Sequence, residues 1–112
     1  MKKYRVVVTP EAETGIRESF LYIYERSPVN AARWLQGMWK QIDTLERFPE
    51  RCSYAREQEY LDDELRQLIF KSHRIVFRVE KPRSIVYVLY VRHAGRLAIG
   101  ERKLEEEPLG GE

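Results

Sequence analysis

Few side chains in this chain are able to do chemistry, and their scarcity narrows the options. His73 and His93 are its two histidines and Cys52 its single cysteine, in 112 residues. One cysteine forms no internal disulfide. Two histidines and a thiol do not supply the three or four N and S ligands of a zinc centre, so neither a metal nor a cofactor is expected. Cys52 reads as a loop filler. His93 is left as the residue whose ordinary pKa suits proton transfer near neutral pH. Cations concentrate around it. Residues 66–103 carry 10 Lys and Arg side chains, among them Arg66, Lys71, Arg74, Arg78, Arg92 and Arg96, against only Glu80 and Glu101. Residues 10–65 carry 7 basic and 12 acidic side chains, so the formal net charge of +2 hides a strong asymmetry. A positive stretch of this kind suits a polyanion or an acidic partner meeting one face; a merely solvated basic face is the plain alternative.

The elements that must position these residues follow from hydrophobic periodicity. Tyr4 to Thr9 is a short valine-rich strand, with Tyr4, Val6 and Val8 on one face. Thr9-Pro10-Glu11 then starts a helix: Thr9 can cap, Pro10 fits the first helical position and Glu11 meets the positive end of the dipole. Ala12, Ile16, Phe20 and Ile23 make its buried stripe. Ser27-Pro28 repeats the start signal. In the second helix Ala31, Leu35, Met38, Ile42 and Leu45 step by four and three, widened by Trp34 and Trp39, until Phe48-Pro49 stops it. The two form an antiparallel helical hairpin.

Residues 50–63 read as irregular and polar. Strands are expected over Glu64–Phe70, Arg74–Glu80 and Ile85–Arg92, with turns at Lys71-Ser72-His73 and Lys81-Pro82-Arg83-Ser84. In the middle strand Ile75, Phe77 and Val79 face a core, which places Arg74, Val76, Arg78 and Glu80 on a largely wet face. Tyr87 and Tyr90 fall on opposite faces of the last strand, so one of them belongs to the core. The order is βααβββ: an α+β fold in which an antiparallel sheet, completed by the first strand, packs against the N-terminal helical hairpin.

The length suits one domain, assigned to residues 1–98, followed by a partly flexible tail at 99–112. No apolar run approaches the roughly 20 residues of a membrane-spanning helix. Val6, Val7 and Val8 end at Thr9-Pro10, too short for a signal-peptide core, so a cytoplasmic location is expected.

Four stretches, in this order and at this spacing, resemble the RelE/ParE toxin family of bacterial toxin–antitoxin systems. Tyr4-Arg5-Val6-Val7-Val8-Thr9-Pro10-Glu11-Ala12 is similar to the family's opening strand and helix start. Ala31 through Leu45 with Phe48-Pro49 resembles its second helix and proline stop. Leu65-Arg66-Gln67-Leu68 with Arg74-Ile75-Val76-Phe77-Arg78-Val79 resembles its "R-x-L…y-R-I-v-Y" strands. Val88-Leu89-Tyr90-Val91-Arg92-His93-Ala94-Gly95-Arg96 resembles its closing "v-l-x-V-x-H-x-x-R" strand. The resemblance implies a growth-arresting toxin neutralised by a cognate antitoxin, acting by one of two routes. RelE-like members cut messenger RNA on the ribosome, and ParE-like members block DNA gyrase.

Metal-free RNA cleavage needs a base for the ribose 2′-hydroxyl, cations for the charge developing on phosphate and an acid for the leaving oxygen. On this reading His93 moves the proton, and Arg74, matching the family's strand arginine, steadies the phosphate. Arg66, Arg92 or Arg96 would supply a second cation. Two features depart from that pattern: Leu65, Gln67 and Leu68 stand where RelE-like nucleases carry a lysine pair, and Ala94-Gly95-Arg96 replaces the tyrosine often found after the last strand. A gyrase-binding toxin needs no catalytic set, and the close Val91-Arg92-His93-Ala94-Gly95-Arg96 resembles ParE-like chains more, so the ParE-like branch is favoured. Polyanion or target binding is then assigned to Arg66, Lys71, Arg78, Arg92 and Arg96, and the antitoxin's acidic segment to Arg74 and Arg78. From other classes, a plain nucleic-acid-binding module is weakened by the lack of an aromatic ladder that could stack bases; an inactive remnant is the third reading.

Overall fold

A computed structural model describes residues 3–59 and 64–95. Strand β1 (Arg5–Val8) leads directly into helix α1 (Pro10–Tyr24), and α2 (Pro28–Asp43) follows after a three-residue turn. Three short 3-10 turns, at Thr44–Glu46, Pro49–Arg51 and Arg56–Glu59, then carry the chain to β2 (Leu65–Phe70), β3 (His73–Glu80) and β4 (Ile85–His93). Both helix starts form as their residues dictate. Thr9 Oγ1 accepts from the Ala12 amide at 3.2 Å and Ser27 Oγ from the Asn30 amide at 3.2 Å, each with proline in the first turn. Among the described residues no helix is long and apolar enough to cross a membrane.

The sheet order is β1-β4-β3-β2. β2, β3 and β4 form the expected antiparallel meander, but β1 pairs with β4 in parallel, from Arg5 opposite Ile85 to Val8 opposite Val88. The sheet is therefore mixed, not antiparallel. The reason is directional: the meander's reversals bring β4 back along the course of β1, and the helical hairpin between them removes any need for a tight reversal. Thr9 fastens this junction, since its hydroxyl donates to the Val88 carbonyl at 2.9 Å while it caps α1.

One face of the sheet packs on the helices. Ala12, Ile16, Trp34, Met38, Ile42 and Leu45 meet Ile75, Phe77, Val86, Val88 and Val91 in one core. Trp39 does not join it; it is 36% exposed on the outer side of α2. The other face is not as wet as strand alternation suggested. His73 to Phe77 are all buried in β3, because the segment after α2 folds back over the far face and packs Ala55 on Leu65 and Val76. The Ala55 amide donates to the Leu65 carbonyl at 2.8 Å and the Gln67 amide to the Ser53 carbonyl at 2.9 Å, so the "irregular" segment is stitched to β2.

β4 also carries a bulge. Val76 pairs with Tyr90 and Phe77 with Val88, which leaves Leu89 as an extra residue. The extra residue resets the alternation. Val86 and Val88 before it and Val91 after it all face the helices, while Tyr87, opposite Arg78, and Tyr90, opposite Val76, share the far face. Neither tyrosine belongs to the main core, contrary to the expectation from simple alternation.

Candidate functional site

Chemistry was expected to assemble around Arg74, which lies on β3, and His93, which ends β4, and the sheet holds the two apart. His73 and Arg74 are consecutive, so their side chains leave opposite faces of the sheet. His73 pairs with His93 and Arg74 with Arg92. His93 therefore lies on the helical side and Arg74 on the far side, with the sheet between them.

Arg74 is sealed. It is 2% exposed, and its guanidinium makes a two-pronged contact with Glu57, which is 0% exposed: Nη1 donates to Oε1 at 2.9 Å and Nη2 to Oε2 at 2.8 Å. Nη1 also donates to Gln67 Oε1 at 3.0 Å. Two parallel charge-assisted bonds to one carboxylate are the pattern with which arginine would otherwise hold a phosphate. The wet-face placement expected for Arg74 is thus corrected, because Glu57 arrives from the segment that covers that face. Sequence reading passed over Glu57, because a partner that arrives from a segment seventeen residues earlier leaves no local mark beside Arg74.

The other cations are scattered over the surface. Arg66 is turned toward the covering segment, donating to the Cys52 carbonyl at 2.7 Å and to Glu64 at 3.0 Å, and stacks over the Tyr54 ring. Arg78 lies over the Tyr87 ring on the far face, with Glu80 at 3.8 Å. Arg92 shares that far face. Lys71 sits in the β2–β3 turn at a positive φ of 53°. Arg96 lies outside the described residues, as does the tail at 99–112. Cys52 is buried, and burial pushes its thiol pKa up, away from reactivity. Among the described residues no cluster of three or more His, Cys, Asp or Glu is placed to hold a metal.

The helical side carries a feature that sequence reading did not anticipate. Between the C-terminal half of α1 and the ends of β3 and β4 opens a cleft of about 570 Å³. Gly15 and Val91 form its inner wall, where a side chain on Gly15 would collide with the Val91 carbonyl oxygen. The histidines meet here, His73 and His93 edge to face at 5.4 Å and Trp34 and His73 at 5.0 Å between ring centres. His73 Nε2 lies 3.0 Å from Ser19 Oγ, and burial, helped by the neighbouring His93, lowers the His73 pKa, so the ring is neutral near pH 7. His93 Nδ1 accepts the Gly95 amide at 3.0 Å. Lys71 and Tyr22 stand at the mouth. The signal for this cleft was faint: Gly15 in mid-helix costs up to about 1 kcal/mol in propensity and asks for a packing reason.

Comparison with known proteins agrees with this architecture. A family model described as the ParE toxin of the type II toxin–antitoxin system parDE matches residues 6–98. Among solved structures, a chain of the chromosomal ParDE toxin–antitoxin system from P. aeruginosa superposes with a TM-score of 0.66 at 14% identity, covering 83% of this chain and 98% of that one. A chain of the archaeal RelE–RelB complex from Pyrococcus horikoshii OT3 gives 0.56 at 15% identity, covering 86% and 99%. A chain of the RelBE2 toxin–antitoxin complex from Mycobacterium tuberculosis gives 0.54 at 19% identity, covering 83% and 93%. At these identities the likeness speaks to the fold. No curated protein matches the sequence significantly.

Proposed function

Because the chain belongs to the ParE toxin family of type II toxin–antitoxin systems, we propose that it arrests growth in the cytoplasm by binding DNA gyrase and not by cutting messenger RNA. The observation that carries this reading is the separation of His93 from Arg74. A general base or acid must reach the same ribose–phosphate unit that the cation steadies, within hydrogen-bond distance of the proton it moves. Here a β-sheet stands between the two side chains, and Arg74 already has a carboxylate in both prongs of its guanidinium. A binding toxin has no such requirement. What it needs is a rigid surface, and the far face offers Arg78 and Arg92 with Tyr87 and Tyr90, a mixture of arginine and tyrosine of the kind that dominates protein interfaces.

Neutralisation follows from the same surface. ParDE and RelBE neighbours are complexes of toxin with antitoxin, and an antitoxin encoded with this chain is its expected partner. Its acidic segment orders on binding and covers Arg78 and its surroundings, so that inhibition is by occlusion. Arg74, expected to share that role, is buried against Glu57 and is not on that surface.

The deciding experiment pairs a gyrase supercoiling assay with translation-coupled messenger-RNA cleavage, for wild type and His93→Ala. Gyrase inhibition by both proteins with intact RNA is expected. RNA cleavage that His93→Ala abolishes would overturn the proposal and make His93 a proton-transfer residue.

A further inference from the structure

Two buried nitrogens on adjacent rings have no hydrogen-bond partner among the described residues: Trp34 Nε1 and His73 Nδ1. Both rings belong to the wall of the cleft between α1 and the sheet, both residues are more than nine-tenths buried, and they touch edge to face. Buried polar atoms are satisfied in the great majority of native structures, and an orphan calls for an explanation such as a bound water or ligand. Two orphans on touching rings in the wall of one cleft call for one explanation together.

Their chemistry is complementary. The indole nitrogen can only donate. The 3.0 Å contact between His73 Nε2 and Ser19 Oγ takes its direction from the tautomer of the neutral ring; in the tautomer that donates from Nε2, Nδ1 presents a lone pair. In that tautomer the pair is one donor and one acceptor, set among Ile23, Val91 and the Gly15 backbone. At the mouth Glu18 and Lys71 bring opposite charges, so the rim has no strong preference between anion and cation. Deeper in, burial penalises any charged group that lacks a partner of opposite sign. An ionised carboxylate fits poorly beside a neutral imidazole, whereas an amide offers a carbonyl to the indole N–H and an N–H to the imidazole. The volume of about 570 Å³ lies within the range of small-molecule sites.

We propose that this cleft is a binding site for a small neutral aromatic amide, which parts the Trp34–His73 ring contact and completes both unmade hydrogen bonds. The site lies on the helical side of the sheet, away from Arg78 and Arg92, and the inference stands whichever target the toxin has.

The test is titration of the full-length protein with benzamide, followed by the Trp34 indole N–H resonance and by calorimetry. Benzoate, which carries the charge and lacks the N–H, serves as the comparator. Saturable shifts of the indole N–H are expected for benzamide, with benzoate at least about tenfold weaker. Trp34→Phe keeps the ring and removes the donor, and is expected to weaken benzamide about tenfold. Ser19→Ala, on a half-exposed helix position, releases the His73 tautomer without touching the core and is expected to weaken it several-fold. Absence of saturation at millimolar benzamide, equal binding of benzoate, or insensitivity to both substitutions would overturn the proposal and leave the orphans to a trapped water.

Discussion

Arg74 and Glu57 satisfy each other where water does not reach, and that mutual dependence has a measurable signature. Taking either ion out of water costs several kcal/mol, which the contact offsets only while both partners are present. Glu57→Ala is expected to destabilise the fold by about 3–5 kcal/mol, and Arg74→Ala by a comparable amount, since each leaves an uncompensated buried charge or its void. Arg74→Met combined with Glu57→Leu removes both charges at once and is expected to recover most of that loss. Urea unfolding of the three variants checks the pattern. If the double variant is as unstable as the singles added together, the two residues act independently and the pair is not the unit described. If the chain acts on gyrase as proposed, inhibition by a folded double variant is expected to persist, because neither side chain lies on the surface.

Gly15 decides a contest between elements. Replacing it by alanine improves helix propensity by up to about 1 kcal/mol, but the new methyl group would overlap the Val91 carbonyl oxygen. Backbone does not yield as a flexible side chain does, so overpacking at about 1–3 kcal/mol wins and α1 is pushed off β4. A lower thermal midpoint for Gly15→Ala is expected; a higher one would mean that the helix and strand have room to spare. The helices themselves were legible from Thr9-Pro10 and Ser27-Pro28, because caps are local chemistry. The meander was legible from alternation and turn residues. The parallel β1–β4 pairing was not, since partners some eighty residues apart leave no local mark. The bulge at Leu89 was hidden likewise, and with it the shared face of Tyr87 and Tyr90. Ile75-Val76-Phe77 did carry a cue, an unbroken apolar run of the sort found in strands covered on both faces. Its cover, residues 52–57, was disguised by polar composition. For the site, His93 and the arginines were visible as residue types, but their division between two faces depended on pairing register, and Glu57 and the Trp34–His73 contact on tertiary placement.

Across the whole molecule the two faces of the sheet differ in chemistry. The far face carries Arg78 and Arg92 with two tyrosines, and the helical side carries a cleft whose chemistry is nearly neutral. The parallel pairing of β1 with β4 joins the two ends of the described chain side by side. Strands that run in the same direction respond to tension differently from a hairpin. A pull on residue 3 and an opposing pull on residue 95 slide β1 against β4, loading the hydrogen bonds between Arg5–Val8 and Ile85–Val88 together rather than peeling them one at a time. Thr9, bonded to the Val88 carbonyl, shares the load. In a single-molecule pulling experiment from these two points the domain is expected to resist as a clamp and then fail in one step. Attachment at residues 3 and 80 would strain other strands and is expected to require less force. A machine that unfolds proteins by drawing in one end would meet this clamp before reaching anything else in the fold.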